Sequence, residues 1–292
     1  MDDNRRAFLR AAALAGGAGL ALPSLAADRE RARDLNLRIT DLQTIVMNAG
    51  GDENYVFVKI HTNEGITGLG EATLPSKAMS MSHAILEHKR YLVGQDPLEI
   101  ERHWQSMYRG PLYRGGPIIV GEISAIDIAL WDIFGQAAGM PIWQILVGNG
   151  RDKVRVYTNP GWGNSPKEMG QLWLRAKEQG WTAGKSGFFK QPSGDDSIMR
   201  PELALADSVA RVREIRKAVG DDFDICIDLH GKPTTAFAVE FCRQVEQYRP
   251  YFVEEATQAE DFGELQHLRE HTTVPLATGE RLFTKYPFGV IC

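Results

Sequence analysis

The chain has 292 residues, of which 43% are hydrophobic and 24% are charged, enough for one large domain or two of ordinary size. Its net charge of -5 provides no basic surface, so nucleic acid is excluded as an expected partner. The three cysteines, Cys226, Cys242 and Cys292, are too few and too scattered for a disulfide framework.

The first 27 residues have the pattern of a cleaved export signal. A twin arginine, Arg5-Arg6, precedes an apolar run over residues 11–22, and Ser24-Leu25-Ala26 forms a small-x-small cleavage site. This layout is typical of the twin-arginine type of signal, and the run is too short for a stable membrane anchor. It therefore predicts a periplasmic protein. The alternative is an N-terminal arm on a cytoplasmic enzyme.

Residues 36–150 show the pattern of a small α+β domain. Alternating apolar residues predict an antiparallel meander, with a tight turn at Asn63-Glu64-Gly65. The predicted strands cover residues 39–45, 55–62 and 66–71. Helical periodicity then follows. The predicted helices cover residues 79–93, 98–108 and 118–138. The last of them is apolar around most of its circumference, which predicts burial on several sides.

Residues 151–292 alternate between short strands and helices. The predicted strands cover residues 154–157, 182–185, 223–227, 251–253 and 275–277. Such alternation predicts a parallel sheet, and the lack of a GxGxxG turn after the first strand disfavours a dinucleotide-binding fold. We therefore predict a partial α/β barrel of the TIM type, with about five of its eight βα units. Either the chain is C-terminally truncated, or something else completes the barrel.

Three carboxylates follow successive predicted strands at equal spacing. The intervals from Asp228 to Glu254 and from Glu254 to Glu280 are both 26 residues, about one βα unit of a barrel. This spacing places all three at the C-terminal mouth, where such barrels carry their catalytic groups. Hard oxygen ligands favour Mg²⁺ over zinc. The alternative is that each is an exposed acidic residue at a strand end.

The segments around these carboxylates resemble the mandelate racemase/muconate lactonizing enzyme branch of the enolase superfamily. The metal-ligand segments are matched by Asp228-Leu229-His230-Gly231, by YRPYFVEE over residues 248–255 and by Ala277-Thr278-Gly279-Glu280-Arg281. The capping domain is matched by Gly70-Glu71, Tyr113-Arg114-Gly115-Gly116-Pro117 and AIDIALWD over residues 125–132, with galactonate dehydratases as the nearest kind. The similarity runs from about Arg38 to the last residue.

The resemblance implies a capping domain over residues 36–150 and a barrel domain over residues 151–292. It also implies a lyase that binds Mg²⁺ through Asp228, Glu254 and Glu280. Such an enzyme abstracts the proton beside a substrate carboxylate and passes through an enediolate stabilised by Mg²⁺. It dehydrates a sugar acid, an aldonate such as galactonate, to a 2-keto-3-deoxy acid. A preorganised cation is needed because that proton is very weakly acidic.

Three further residues receive roles from the same resemblance. His230 lies two residues after Asp228, and the period of a strand would point both side chains to the same face. The resemblance implies that His230 protonates the leaving hydroxyl as a general acid. Lys185 matches the first lysine of the Lys-x-Lys pair of racemases, but position 187 is Gly187, which favours a dehydratase. Lys185 is then expected to neutralise the substrate carboxylate, unless it is a solvated strand-end lysine. Arg281 is expected to bind the same carboxylate, unless it pairs with a neighbouring acid.

The general base of such enzymes is a histidine paired with an aspartate on later barrel strands, beyond the third metal ligand. We therefore expect the 292-residue chain alone to be unstable or inactive. Two alternatives stay open: a racemase or cycloisomerase of the same superfamily, and an inactive fragment that serves as a folded module. Relatives are commonly symmetric assemblies, so the resemblance also allows a homo-oligomer.

Overall fold

A computed structural model describes residues 36–48, 50, 54–188 and 201–292. They belong to two compact units, divided between Gly150 and Arg151. The predicted export signal, residues 1–27, lies outside the described residues. Within the described part of the chain, no helix is both long enough and apolar enough to cross a membrane.

The described residues of the N-terminal unit form a three-stranded antiparallel sheet in the order β1-β2-β3, so the predicted meander is confirmed. Its strands are β1 (Ile39–Asn48), β2 (Asn54–Thr62) and β3 (Thr67–Glu71). Its helices are α1 (Ala78–Glu87), α2 (Lys89–Leu92), α3 (Ile100–Arg109), α4 (Gly116–Ala138) and α5 (Ile142–Ile145). The predicted helix over residues 79–93 is thus divided in two, at His88.

The sheet buries one face against α4, the long helix that the sequence predicts to be buried. Alternate residues of β2, Val56, Val58 and Ile60, are fully buried, as the period of two along a strand requires. Gly68 and Gly70 lie on the same face of β3, and a Cβ atom at either would collide with a backbone carbonyl of α4. Glycine in β3 therefore sets how closely helix and sheet approach.

In the C-terminal unit, the described strands form a parallel sheet in the order β4-β5-β6-β7. They are β4 (Ala183–Gly187), β5 (Asp224–Asp228), β6 (Phe252–Glu254) and β7 (Leu276–Ala277). The helices are α6 (Pro166–Glu178), α7 (Pro201–Val219), α8 (Thr235–Val245), α9 (Phe262–Glu270) and α10 (Lys285–Ile291), with a 3₁₀ turn at Glu246–Tyr248. A partial TIM-like barrel after an α+β domain is confirmed.

The prediction that residues 154–157 form the first barrel strand is wrong. The chain there makes an isolated parallel bridge, between Thr158 and Gly184 of β4, while Val154 and Val156 are exposed. The described sheet therefore has four strands and one bridge where five strands were predicted.

The core of this unit lies between the sheet and its helices. Ile225, Ile227 and Val253 point from the strands into a cluster that includes Trp173 and Phe241, all fully buried. Because side chains alternate along a strand, the neighbouring residues of β5 and β6 point to the opposite face, which is the interior face of a barrel. That face carries the candidate site.

Candidate active site

The register of the sheet brings two of the predicted metal ligands together. Asp228 ends β5 and Glu254 ends β6, and they are direct partners in the parallel ladder. Gly187, the last residue of β4, is the partner of Asp228 on its other side. Because parallel strands end at one edge of a sheet, the three residues form a row at the C-terminal mouth, where the 26-residue spacing predicts Asp228 and Glu254.

Lys185 is bound to both carboxylates. Its Nζ atom lies 2.9 Å from Oδ2 of Asp228 and 2.6 Å from Oε2 of Glu254. The side chains of the three residues are 20%, 5% and 14% exposed. Burial alone would lower the pKa of Lys185, but the hydrogen bonds to Glu254 and Asp228 outweigh it and raise that pKa. The interpretation of Lys185 as a solvated lysine at a strand end is therefore wrong, because β4 continues to Gly187.

Glu280 lies near this pair but outside the sheet. It sits in a turn, three residues after β7 ends at Ala277, and it is exposed. Partial burial raises the pKa of Glu280, and the negative charges of Glu255, Asp228 and Glu254 raise it further. The expectation that Glu280 closes a strand as the other two carboxylates do is thus wrong.

These residues fit a hard divalent cation, although they are not arranged as a finished cage. Among the described residues, no three His, Cys, Asp or Glu side chains are close enough to form a ready-made metal site. The donors are nevertheless carboxylate oxygens, which Mg²⁺ prefers. An ammonium group already lies between Asp228 and Glu254. A cation is therefore favoured at this position. The assignment of the three ligands stays a prediction.

His230 lies beside Asp228, but not for the reason that its spacing suggests. The strand ends at Asp228, so strand alternation does not extend to His230. Instead His230 has a positive φ of 54°, and its backbone N–H donates to Oδ1 of Asp228 at 3.0 Å. This turn brings its Nε2 atom to 3.4 Å from Oδ2 of Asp228. The ring remains half exposed.

Gly187 provides the space for the His230 ring. A Cβ atom built on Gly187 would lie 3.3 Å from Cε1 of His230, so the ring would have to shift by a few tenths of an ångström to accept one. The departure from Lys-x-Lys noticed in the sequence thus lets the His230 ring pack closely against β4.

Arg281 is paired with Glu255, as the alternative interpretation of its role required. Its Nε atom donates to both carboxylate oxygens of Glu255, at 2.9 Å each. The Glu255 side chain is only 1% exposed, and its φ of 44° turns the chain immediately after Glu254. Gly231 lies against the guanidinium, since a Cβ atom there would overlap it. Binding of a substrate carboxylate by Arg281 stays a prediction.

Sequence reasoning did not identify two residues of this region. Glu255 enters the sequence analysis only as the last residue of the segment over residues 248–255, although it stands 26 residues before Arg281, the same spacing that separates the predicted metal ligands. Tyr157 belongs to the segment predicted as a strand, and its ring lies 5.9 Å from Nζ of Lys185. No sequence feature of Tyr157 points to this contact, because it depends on how distant segments pack.

Comparison with known proteins agrees with this geometry. Residues 34–148 match the N-terminal domain of the mandelate racemase/muconate lactonizing enzyme family, and residues 168–291 match an enolase C-terminal domain-like family. D-galactonate dehydratase from Ralstonia pickettii is 38% identical over 235 residues, which cover 80% of this chain and 60% of that protein. The enzyme of the same name from Klebsiella pneumoniae is also 38% identical, over 234 residues, with the same two shares.

Solved structures agree as well. A putative dehydratase from Mesorhizobium loti is 34% identical and superposes with a TM-score of 0.81, over 87% of this chain and 69% of that one. An enolase from Pantoea ananatis with bound D-gluconate and Mg is 28% identical, with a TM-score of 0.77 over 87% of this chain and 68% of that one. The chain spans about 60% of the length of the curated relatives that it matches. It belongs to the mandelate racemase/muconate lactonizing enzyme branch of the enolase superfamily.

Proposed function

We propose that this chain carries the metal-binding and proton-donating part of a Mg²⁺-dependent sugar-acid dehydratase. Its substrate would be an aldonate such as galactonate, and its product a 2-keto-3-deoxy acid. The observation that carries the proposal is the row of groups at the strand ends. There Asp228 and Glu254 both contact the ammonium of Lys185, and Nε2 of His230 lies 3.4 Å from Oδ2 of Asp228. The similarity to D-galactonate dehydratases supports the substrate class.

The residues divide the chemistry between them. Asp228, Glu254 and Glu280 would hold the Mg²⁺, which stabilises the negative charge that develops on a carboxylate substrate when its α-proton leaves. His230 would donate a proton from its ring to the departing hydroxyl, which is a poor leaving group until it is protonated. Lys185 would orient the substrate carboxylate with its ammonium group once the cation takes the place of that ammonium between the two acids.

A racemase or cycloisomerase is the second candidate within the same superfamily. The missing second lysine argues against it, since position 187 is Gly187. The close approach of His230 to that position also supports the dehydratase, because even a Cβ atom there would lie 3.3 Å from Cε1 of the ring.

The function is tested by binding and by turnover in parallel. Titration of the purified chain with D-galactonate and D-gluconate, with and without Mg²⁺, should show binding that needs the metal. Glu254→Gln should remove this binding, because it deletes one ligand charge. Failure of every aldonate to bind in a metal-dependent way contradicts the proposal. Assay of the same samples for a 2-keto-3-deoxy acid checks the sequence-based expectation that the chain alone is inactive.

Export is a separate proposal, supported by the twin-arginine pattern alone. We propose that residues 1–27 direct the protein to the periplasm through the twin-arginine route. A reporter fused after residue 27 should be exported, and replacement of Arg5 and Arg6 by lysine should retain it inside the cell. Export of the doubly substituted fusion contradicts the proposal.

Homo-oligomerisation is likewise a proposal, tested by light scattering of the purified chain.

A further inference from the structure

Two histidines lie next to each other on the surface of the C-terminal unit, on the helix that follows β6. His267 is in the last turn of α9, and His271 caps its C-terminus. They are four residues apart, which places both side chains on one face of the helix. Their ring centroids are 4.2 Å apart, with an angle of 31° between the ring planes, and both residues are exposed.

The hydrogen bonding leaves nitrogen lone pairs available. Nδ1 of His271 lies 2.8 Å from the backbone carbonyl oxygen of His267. Because a carbonyl oxygen only accepts, Nδ1 of His271 carries the proton, and the Nε2 atom of the neutral ring keeps its lone pair. A hydrogen bond from one ring nitrogen is the usual arrangement of a histidine that binds metal through the other. In the described part of the chain, no partner competes for the ring nitrogens of His267.

The surroundings also favour a cation. The pair lies at the C-terminal end of α9, where the free carbonyl groups concentrate negative potential. The carboxylate of Glu270, the residue before His271, accepts a hydrogen bond from Gln266 at 3.0 Å and adds negative charge at this end of the helix. Since the described residues contain no group of three or more metal-binding side chains, water would complete the coordination.

We propose that His267 and His271 form a two-histidine chelating site for a divalent transition-metal ion, distinct from the carboxylate site at the strand ends. Two imidazole nitrogens select ions such as Cu²⁺, Ni²⁺ and Zn²⁺, with Cu²⁺ bound most tightly, and they discriminate against Mg²⁺. Metal–nitrogen bonds of about 2.0–2.1 Å, as found for zinc, suit rings that already lie side by side. The proposal does not depend on the proposed dehydratase function.

The chain contains a matched control for this site. His83 is exposed on α1, and its Nδ1 atom contacts the carbonyl oxygen of Met79, four residues earlier, at 2.8 Å. Its backbone contact is therefore the same as that of His271, but a methionine stands where His271 has His267. His83 thus serves to measure the metal affinity of one exposed histidine that has no second histidine four residues before it.

The test is titration of the full chain with Cu²⁺ and Ni²⁺ in excess Mg²⁺, in a Cys292→Ser background that removes the one exposed thiol of the described residues. We expect His267→Gln and His271→Gln each to weaken the tightest Cu²⁺ binding by about a hundredfold, the lower end of what a second linked ligand adds. His83→Gln should leave that binding unchanged. Electron paramagnetic resonance of the Cu²⁺ complex should show two imidazole nitrogens in the parent and one in each single variant.

Three outcomes overturn the proposal. One is Cu²⁺ affinity in the two helix variants that equals that of the parent. The second is an equal loss in His83→Gln, which would mean that isolated surface histidines account for the binding. The third is a single coordinated imidazole in the parent spectrum. Circular dichroism of each variant confirms that the helix is retained, since glutamine is a good helix former.

Discussion

Replacement of Lys185 by methionine tests whether the Lys185 ammonium and Mg²⁺ compete for Asp228 and Glu254. Methionine keeps an unbranched, largely apolar side chain of similar reach but lacks the ammonium that lies 2.9 Å and 2.6 Å from the two carboxylates. Loss of one partner of a buried ion pair costs about 3–5 kcal/mol. Because Lys185 and Glu254 retain some access to water, we expect the lower end, about 3 kcal/mol. This loss would lower the melting temperature of the C-terminal unit by about 6–12 °C.

Added Mg²⁺ should reverse most of this loss. A cation at about one hundred times its dissociation constant contributes about 2.7 kcal/mol to the folded state. The gain should be larger in Lys185→Met than in the parent, because in the parent the metal must first displace the ammonium. The measurement is thermal unfolding with and without Mg²⁺, together with hydrogen exchange at the amides of β5, which assigns the transition to this unit.

The matched control is Lys177→Met in the same unit. Lys177 lies 2.6 Å from Asp222, but there the carboxylate is 76% exposed. Such a surface pair contributes about 1 kcal/mol or less, and Mg²⁺ should not compensate for its loss. Two results would refute this reasoning. One is a melting temperature of Lys185→Met equal to that of Lys177→Met, and the other is an increase in melting temperature with Mg²⁺ no larger than that of the parent. Either would mean that the ammonium does not neutralise a cation site.

Three further outcomes are expected. Gly70→Ala should destabilise the N-terminal unit by about 3 kcal/mol, the upper end of the overpacking penalty in a core, because its Cβ would strike a carbonyl of α4. Gly150→Ala, in open space, is the control in urea unfolding. Arg281→Met should cost about 3 kcal/mol in the same assay, since it leaves the buried Glu255 carboxylate unpaired, and wild-type stability would contradict that pairing. Burial raises the pKa of the Cys226 thiol to about 11, so in a Cys292→Ser background, which removes the exposed thiol, Cys226 should resist a disulfide reagent at pH 8 until the protein is denatured. Rapid modification of Cys226 in the folded variant would refute this.

The strands that sequence reasoning identified correctly are those whose apolar residues are buried. Ile225 and Ile227 pack under the helices, so the apolar run of β5 reflects tertiary burial and is readable from the sequence. The segment over residues 154–157 has similar β-branched residues, yet Val154 and Val156 are exposed. In the described part of the chain, the backbone hydrogen bonds between this region and β4 are those of Thr158 with Ala183 and Lys185. A strand exists only where a neighbour pairs with it, and pairing is not a property of local sequence.

The ion pairs of the site illustrate the same limit at the level of side chains. The spacing of the acids placed Asp228 and Glu254 at one edge of the sheet, because that position follows from the repeat length of a βα unit. The partner of both, Lys185, lies 43 and 69 residues away along the chain. Nothing in the local sequence states which acid a lysine contacts. The structure was therefore needed to show that Lys185 bridges two carboxylates, a contact that neither of its sequence-based interpretations includes.

For His230, the sequence-based argument and the structure agree on the position but differ in its physical cause. Spacing placed it beside Asp228 through strand alternation, whereas the structure places it there through a turn that begins after the strand has ended. The turn is held by a hydrogen bond from the backbone of His230 to Oδ1 of Asp228, while Oδ2 faces Lys185. Asp228 thus contacts the Lys185 ammonium with one oxygen and the backbone of His230 with the other. Among the described residues, its partner Glu254 makes no contact of the second kind. The two carboxylates, equivalent in spacing and in register, are therefore unequal in their contacts. Under the proposed function, loss of Glu254 would remove charge from the cation position, whereas loss of Asp228 would also release the turn that holds His230.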